Sequence, residues 1–328
     1  MLTTPFVRAL KNTLKDCNID YFTKVETASL LQGNPYITEI HMLKERNFAA
    51  LSEKVMELRR RSYDMVIDLH RNPRSWYTRT KLSGGKKVKM RRDRFRRWLL
   101  VHMGVDYYPE SIDSVAVRYF SAVDGLFDPP IAPDDKGLDL FLNEKDRAKA
   151  RRFIGDSREK FIVIAPSAHW ETKRWLAEKF AETADILAQR YKTQTVILGA
   201  HEDKELTAKV CSMMKTSGLD LAGKLSIRET AAVIENSLLF IGNDTGLMHI
   251  ASALNIPGAA IFGPTTKHLG YFPYRSRLVV VERKGLTCRP CTKQGNKKCP
   301  KRHFRCMMEI SVEEVVNAAV SSLEENCR

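Results

Sequence analysis

The stretch at residues 240–265, FIGNDTGLMHIASALNIPGAAIFGPT, constrains the fold of this chain more than any other segment. An apolar run at 238–241 stops at Gly-Asn-Asp-Thr-Gly, and a small-residue helix is expected over 247–254. After a Pro-Gly break, a second apolar run at 258–262 closes at Gly263-Pro264. Strand, turn, helix and strand in that order make one βαβ step, with polar residues at the carboxyl end of the first strand. Ligands of open α/β sheets bind at that edge. The start of the helix offers free backbone N–H groups and a partial positive charge, both suited to a phosphate. Asp244 stands where a carboxylate accepts hydrogen bonds from sugar hydroxyls. The segment reads as a sugar-nucleotide site.

The same alternation runs along the chain. In the second half, strands are expected at 161–165, 195–198, 219–221 and 278–281, with helices at 176–190, 204–215 and 227–236 between them. Such alternation gives a parallel sheet covered by helices. A last helix is expected over 311–324, capped by Ser311 with Glu314 three residues on. The first half reads as a helix at 6–14, strands at 19–23 and 37–43, a helix at 48–62, and strands at 65–69 and 87–90. Residues 124–142 carry Asp-Pro-Pro and Ala-Pro-Asp-Asp, which marks a linker. A helix at 143–154 is then expected to bridge two domains, 1–142 and 143–328.

Length agrees, because 328 residues are long for one core and suit two. No run reaches the roughly 20 apolar residues of a membrane-spanning helix, and the opening residues lack the pattern of a signal peptide. The cytoplasm is therefore the expected compartment. Seven cysteines, an odd number, argue against a disulfide framework. Much of the net charge of +15 sits in Lys86–Trp98, where eight basic residues face one acid. A solvated face is one reading of that run. Nucleic acid is another, but no finger, RNP or helix-turn-helix pattern accompanies it. Attraction to an anionic membrane surface or a phosphorylated lipid is favoured, since Arg94, Phe95, Arg97 and Trp98 combine charges with aromatic anchors.

The pattern D-T-G-x-M-H-x-A-x-A-L-x-x-P followed by F-G-P-T, at 244–265, resembles the donor-site signature of glycosyltransferase family 9, the heptosyltransferases. APSAHWETKRW at 165–175 resembles the family's segment ending in T-K-R-W, and LGAHED at 198–203 its G-x-x-x-E/D loop. DLHRNPRS at 68–75 resembles its D-L-H-x-N-x-R-S segment. The run from Cys288 to Cys306 resembles the cysteine-bearing tail of members similar to heptosyltransferase II. The motifs keep the family's order along most of the chain.

The resemblance implies the GT-B architecture: two Rossmann-like α/β domains with parallel sheets facing across a cleft, the helix at 311–324 returning to the first domain. It implies inverting, metal-independent transfer of heptose from ADP-heptose to the inner core of lipopolysaccharide, with no cofactor, by a peripheral protein at the cytoplasmic face of the inner membrane. Leu2-Thr3-Thr4-Pro5 matches only the tail of the family's G-D-x-x-L-T-T-P loop. A first strand and the general-base Asp are therefore expected to precede Met1 and to be absent here. A donor-binding but inactive remnant, and a related transferase using another nucleotide sugar, stay open as alternatives.

Sugar transfer from a nucleotide diphosphate needs a stabilised leaving group, a grip on the sugar and a base for the acceptor hydroxyl. No Asp-x-Asp stands at a promising strand end, so side chains and backbone N–H groups must hold the diphosphate. By the resemblance Lys173, with Ser167 and Thr172 beside it, neutralises that group. Asp244 holds sugar hydroxyls or caps the helix, and the N–H groups of Thr245 and Gly246 face the phosphate. His249 reaches the diphosphate or packs inside. Glu202 binds the ribose or is merely solvated. His70, Asn72 and Arg74 are expected on the acceptor side, with an ion pair as the other reading of Arg74. Cys288, Cys291, Cys299 and Cys306, with His303 among them, bind zinc or stay free thiols.

Overall fold

A computed structural model describes residues 1–109, 114–155 and 160–324. Its described residues divide into two compact units, 1–93 with 114–141 and 94–109 with 142–324. One division falls between 141 and 142, and 94–109 belongs to the second unit.

The first unit opens with α1 (Thr4–Thr13), which has Pro5 in its first turn. Its buried face carries Phe6, Val7 and Leu10, and also Arg8. The Arg8 guanidinium donates to both oxygens of Asp134 at 2.7 Å, to the Gly137 carbonyl at 3.0 Å and to Asp139. Residues 124–141 are thus fastened to α1 rather than forming a free linker, and Ile131 and Leu138 are buried with them. Strand β1 (Asp20–Lys24) leads through the short α2 (Val25–Ala28) to β2 (Glu39–Leu43). Helix α3 (Phe48–Arg59) follows, its start held by the Asn47 side chain accepting from the Ala50 N–H. Leu51, Val55 and Leu58 recur at helical spacing and are buried. Then come β3 (Tyr63–Asp68), α4 (Pro73–Lys81) and β4 (Gly84–Lys89). Among the described residues these strands form two separate two-stranded parallel sheets, β1 with β2 and β3 with β4.

The second unit begins with α5 (Arg94–Met103), while α6 (Val115–Arg118) returns to the first. Helix α7 (Glu144–Ile154) was expected to bridge the halves, but it packs within the second unit. Its Asp146 accepts from Arg228 at 2.9 Å and its Arg147 donates to Glu235 at 2.7 and 2.9 Å. Those partners lie on α10 (Ile227–Glu235), which follows β5 (Phe161–Ala165), α8 (Ala177–Tyr191), β6 (Thr195–Ile197), α9 (Lys204–Met213) and β7 (Gly218–Asp220). The chain continues through β8 (Ser237–Asn243), α11 (Gly246–Ala253), β9 (Gly258–Phe262) and β10 (Leu278–Glu282). It ends in α12 (Arg305–Met308) and α13 (Val312–Glu324).

The sheet of this unit is parallel and six-stranded, in the order β10-β9-β8-β5-β6-β7. All five residues of β5 and of β9 are buried, as central strands covered on both faces must be. The chain enters at β5, runs outward through β6 and β7, and then turns back to the other side of β5 with β8. The sheet therefore has its switch point between β5 and β8, where open α/β sheets bind ligands. The last helix packs on this sheet. Val315, Val316, Ala319 and Val320 of α13 are buried in the core of the second unit, with Trp175, Phe180 and Ile261.

Candidate active site

The loops leaving β5 and β8 meet at the switch point, and one buried asparagine ties them together. Asn243 accepts from the Trp175 backbone N–H at 3.1 Å and donates to the Pro166 carbonyl at 2.7 Å. The Trp175 ring is buried edge-on against Phe180, with centroids 5.1 Å apart, and its Nε1 donates to the Ile310 carbonyl at 3.3 Å. Anchored so, the one-turn helix Glu171–Lys173 brings Lys173 Nζ to 2.6 Å from Asp244 Oδ2. The same oxygen accepts from the Thr265 hydroxyl at 2.8 Å. The backbone N–H of Asp244 is spent on the Ile261 carbonyl at 3.1 Å. Asp244 is thus the carboxylate the β8 edge presents, with its N–H satisfied by the sheet and its side chain shared by a cation and a hydroxyl.

Helix α11 starts beside this pair. Thr245, its N-cap, is extended and its side chain makes no capping bond. The Thr245 Oγ1 and the His249 Nδ1 are both buried and have no hydrogen-bond partner among the described residues. Burial lowers the His249 pKa to about 4, against the upward pull of Asp244. The imidazole is therefore neutral near pH 7, with one nitrogen to donate and one to accept. Unsatisfied buried polar atoms cost about 1–3 kcal/mol each. Two of them at a helix N-terminus, next to a lysine–carboxylate pair, make a cradle for a polar anionic ligand.

A segment without regular structure, 283–304, supports both sides of the cradle. Thr172, next to Lys173, is bonded to Asn296 three ways. Its N–H and Oγ1 donate to the Asn296 carbonyl at 3.1 and 2.9 Å, and its Oγ1 accepts from the Asn296 N–H at 2.8 Å. Gly295 holds φ +112°, and a Cβ there would come within 2.6 Å of Trp170 Cβ, so the close approach demands glycine. On the other side, buried Arg289 donates to the Thr265 carbonyl at 2.9 Å, to the Gly263 carbonyl and to Glu282 at 2.7 Å. Arg289 thus holds the loop whose Thr265 hydroxyl holds Asp244.

The sequence model of glycosyltransferase family 9 (heptosyltransferase) matches residues 53–311. The chain belongs to that family. Lipopolysaccharide heptosyltransferase 3 of Escherichia coli is 27% identical over 303 residues, 85% of this chain and 84% of that one. The structure of the glycosyltransferase family 9 protein from Veillonella parvula superposes with a TM-score of 0.80 at 25% identity, covering 99% of this chain and 93% of the other. That of E. coli ADP-heptose lipopolysaccharide heptosyltransferase II gives 0.75 at 18% identity, covering 100% and 96%. The shared architecture is the GT-B fold.

The structure of this family 9 chain brings Lys173, Thr172, Asp244, Thr245, Gly246 and His249 together, and Ser167 lies buried in the same loop as Lys173. Glu202 is exposed on the one-turn helix His201–Asp203 after β6, the strand next to β5. It lines a surface depression with Arg174, which also donates to the Ala168 carbonyl at 2.8 Å. In the first unit, Asn72 is occupied as the cap of α4, exchanging hydrogen bonds with Ser75. His70 is exposed at one side only, and the desolvation of its ring together with the charge of Arg92 holds its pKa below the usual histidine range. Arg74 donates to the Arg46 carbonyl at 2.8 Å, so the ion pair considered from sequence is a backbone contact instead.

The cysteines are close but not convergent. Cys288 Sγ lies 3.7 Å from His303 Nε2, and burial lifts the Cys291 and Cys306 thiols to about 11 and about 12. Among the described residues, the only three ligand-type side chains with atoms mutually within 4.8 Å are Asp20, Glu39 and His41. Asp20 and Glu39 are already engaged by Arg61, and Asp20 also by the Tyr63 hydroxyl at 2.9 Å and by His41 Nε2 at 3.0 Å. Sequence reasoning missed Thr265 and Arg289. Thr265 ends the F-G-P-T signature and was legible there; Arg289 carried no signal beyond its place between two cysteines.

Proposed function

We propose that this heptosyltransferase-family chain transfers heptose from ADP-heptose to the inner core of lipopolysaccharide, with inversion and without a metal ion. Lys173 leaves Asp244 to meet the diphosphate, and the first N–H groups of α11 bind the same charge. Asp244 then takes sugar hydroxyls, while neutral His249 and the Thr245 hydroxyl complete their hydrogen bonds on the ligand. Glu202 receives the ribose hydroxyls. His70 and Arg74 face the acceptor. In the transfer, an acceptor oxygen bonds to the anomeric carbon as the bond from that carbon to the diphosphate breaks. ADP departs with the electron pair, and the hydroxyl proton passes to water. The ammonium and the helix terminus stabilise the departing charge, the part a divalent cation plays elsewhere.

The observation that carries this reading is the buried Lys173–Asp244 pair at the switch point, with the Thr245 and His249 atoms unsatisfied beside it. Family membership supports heptose, and the likeness to E. coli ADP-heptose lipopolysaccharide heptosyltransferase II supports ADP-heptose as donor. The basic run Lys86–Trp98 adds placement on the anionic, cytoplasmic face of the inner membrane. Among the described residues no helix is long and apolar enough to cross a membrane.

The test is an incubation with ADP-heptose and lipopolysaccharide lacking core heptose. One added heptose per acceptor, with release of ADP and no effect of EDTA, is the expected result. Equal transfer from UDP-glucose, or loss of activity in EDTA, contradicts the reading.

A further inference from the structure

The basic run is two structures rather than one. Lys86, Lys87 and Lys89 lie on β4, whereas Arg94–Trp98 open α5. Residues of an α-helix succeed one another by about 100° of rotation, so Trp98, His102 and Phe95 fall within about 60° of each other. Arg94 stands on one side of that face and Arg96 on the other. Leu100 points away from it and is 5% exposed, whereas Phe95 is 70% and Trp98 46% exposed. The His102 ring lies against Trp98, with centroids 5.5 Å apart. At the last residue of the helix and beyond it, Met103, Val105 and Tyr107 are exposed as well. The strand of chain is pinned by Asp106, whose carboxylate meets His268 Nε2 at 2.8 Å.

Single exposed apolar residues are ordinary on protein surfaces; a contiguous aromatic patch rimmed by arginines is not. Tryptophan and phenylalanine with flanking cations are the composition of a helix lying in a membrane interface, rings among the headgroups and guanidiniums on phosphates. A net charge of +15 draws such a surface toward anionic lipid.

We propose that α5 docks on an anionic bilayer, with Phe95, Trp98 and His102 inserted at the headgroup level and Arg94 and Arg96 on lipid phosphates. This refines the membrane placement proposed above and does not depend on the sugar chemistry, so vesicle binding and transferase activity can fail separately.

The experiment is co-sedimentation of the full chain with phosphatidylcholine vesicles, with and without phosphatidylglycerol. Binding to the mixed vesicles and little to the neutral ones is expected. Phe95→Ser with Trp98→Ser weakens binding about tenfold or more. Arg94→Gln with Arg96→Gln removes most of its salt dependence. Both variants keep the parent's melting temperature and ADP-heptose binding, because the face is exposed. As a check independent of those variants, vesicles shift the parent's tryptophan fluorescence to the blue, and Trp98→Phe loses most of that shift. Undiminished binding by the aromatic variant, equal binding to neutral vesicles, or binding of an RNA oligonucleotide in place of vesicles overturns the proposal.

Discussion

Lys173 Nζ and Asp244 Oδ2 lie 2.6 Å apart, with 14% and 6% of the two side chains exposed. An exposed ion pair contributes little, but one this enclosed sits where each charge depends on the other. A diphosphate sugar offers both groups a replacement partner, phosphate for the ammonium and hydroxyls for the carboxylate. The pair is thus the resting form of the site.

Removing the ammonium should slow transfer more than it weakens binding. For Lys173→Met the expected loss in kcat is about 10²- to 10³-fold, the usual effect of deleting one group that stabilises developing charge. Lys173→Arg keeps the charge and should recover part of the rate. Steady-state kinetics with saturating donor decide it; a Met variant retaining half the parent rate removes the lysine from the mechanism.

The support of Asp244 can be separated from its chemistry. Thr265→Val deletes the 2.8 Å hydroxyl contact to the Asp244 carboxylate and should lower kcat/KM about tenfold and stability by no more than about 1.5–3 kcal/mol, the contribution of one hydrogen bond to a charged group. Arg289→Met instead strips Glu282 and the loop carbonyls of their donor. It should destabilise the second unit by about 3–5 kcal/mol, the cost of breaking a buried charge pair. Thermal denaturation beside kinetics reads both. Equal loss of stability in the two variants would mean that the Thr265 contact serves the fold alone.

His249 sets an acid limit. Its pKa falls to about 4 on folding because the ring is buried, from an unfolded value near 6.5. Between those values the unfolded chain binds more protons, so stability falls as pH drops through that window, by at most about 3 kcal/mol. His249→Asn should flatten this part of the stability profile, measured by denaturant melts from pH 7 down to pH 4. A profile as steep as the parent's contradicts a buried neutral imidazole.

The second unit was legible because its strands are short apolar runs closed by Gly or Pro. The runs at 161–165 and 258–262 coincide with β5 and β9. Lys173 and Asp244 were legible as well, each within a local motif, although only the sheet order β8-β5 makes them neighbours. Contacts between distant residues left no trace in sequence. Arg8 reads as the polar side of an amphipathic helix, yet it is buried on Asp134 and Asp139. The charges of 91–97 masked the helical period of α5. The apolar stripe of α13 says that it packs, and nothing in the stripe names the partners Trp175, Phe180 and Ile261.

The central claim is that Asp244 and Lys173 hold the donor, and calorimetric titration tests it most directly. ADP-heptose, with UDP-glucose as control, is titrated into this chain and into its Asp244→Ala variant. Saturable binding of ADP-heptose alone, lost in the variant while its melting shows a folded second unit, is the predicted result. Unchanged affinity in the folded variant, or equal affinity for UDP-glucose, would contradict the account.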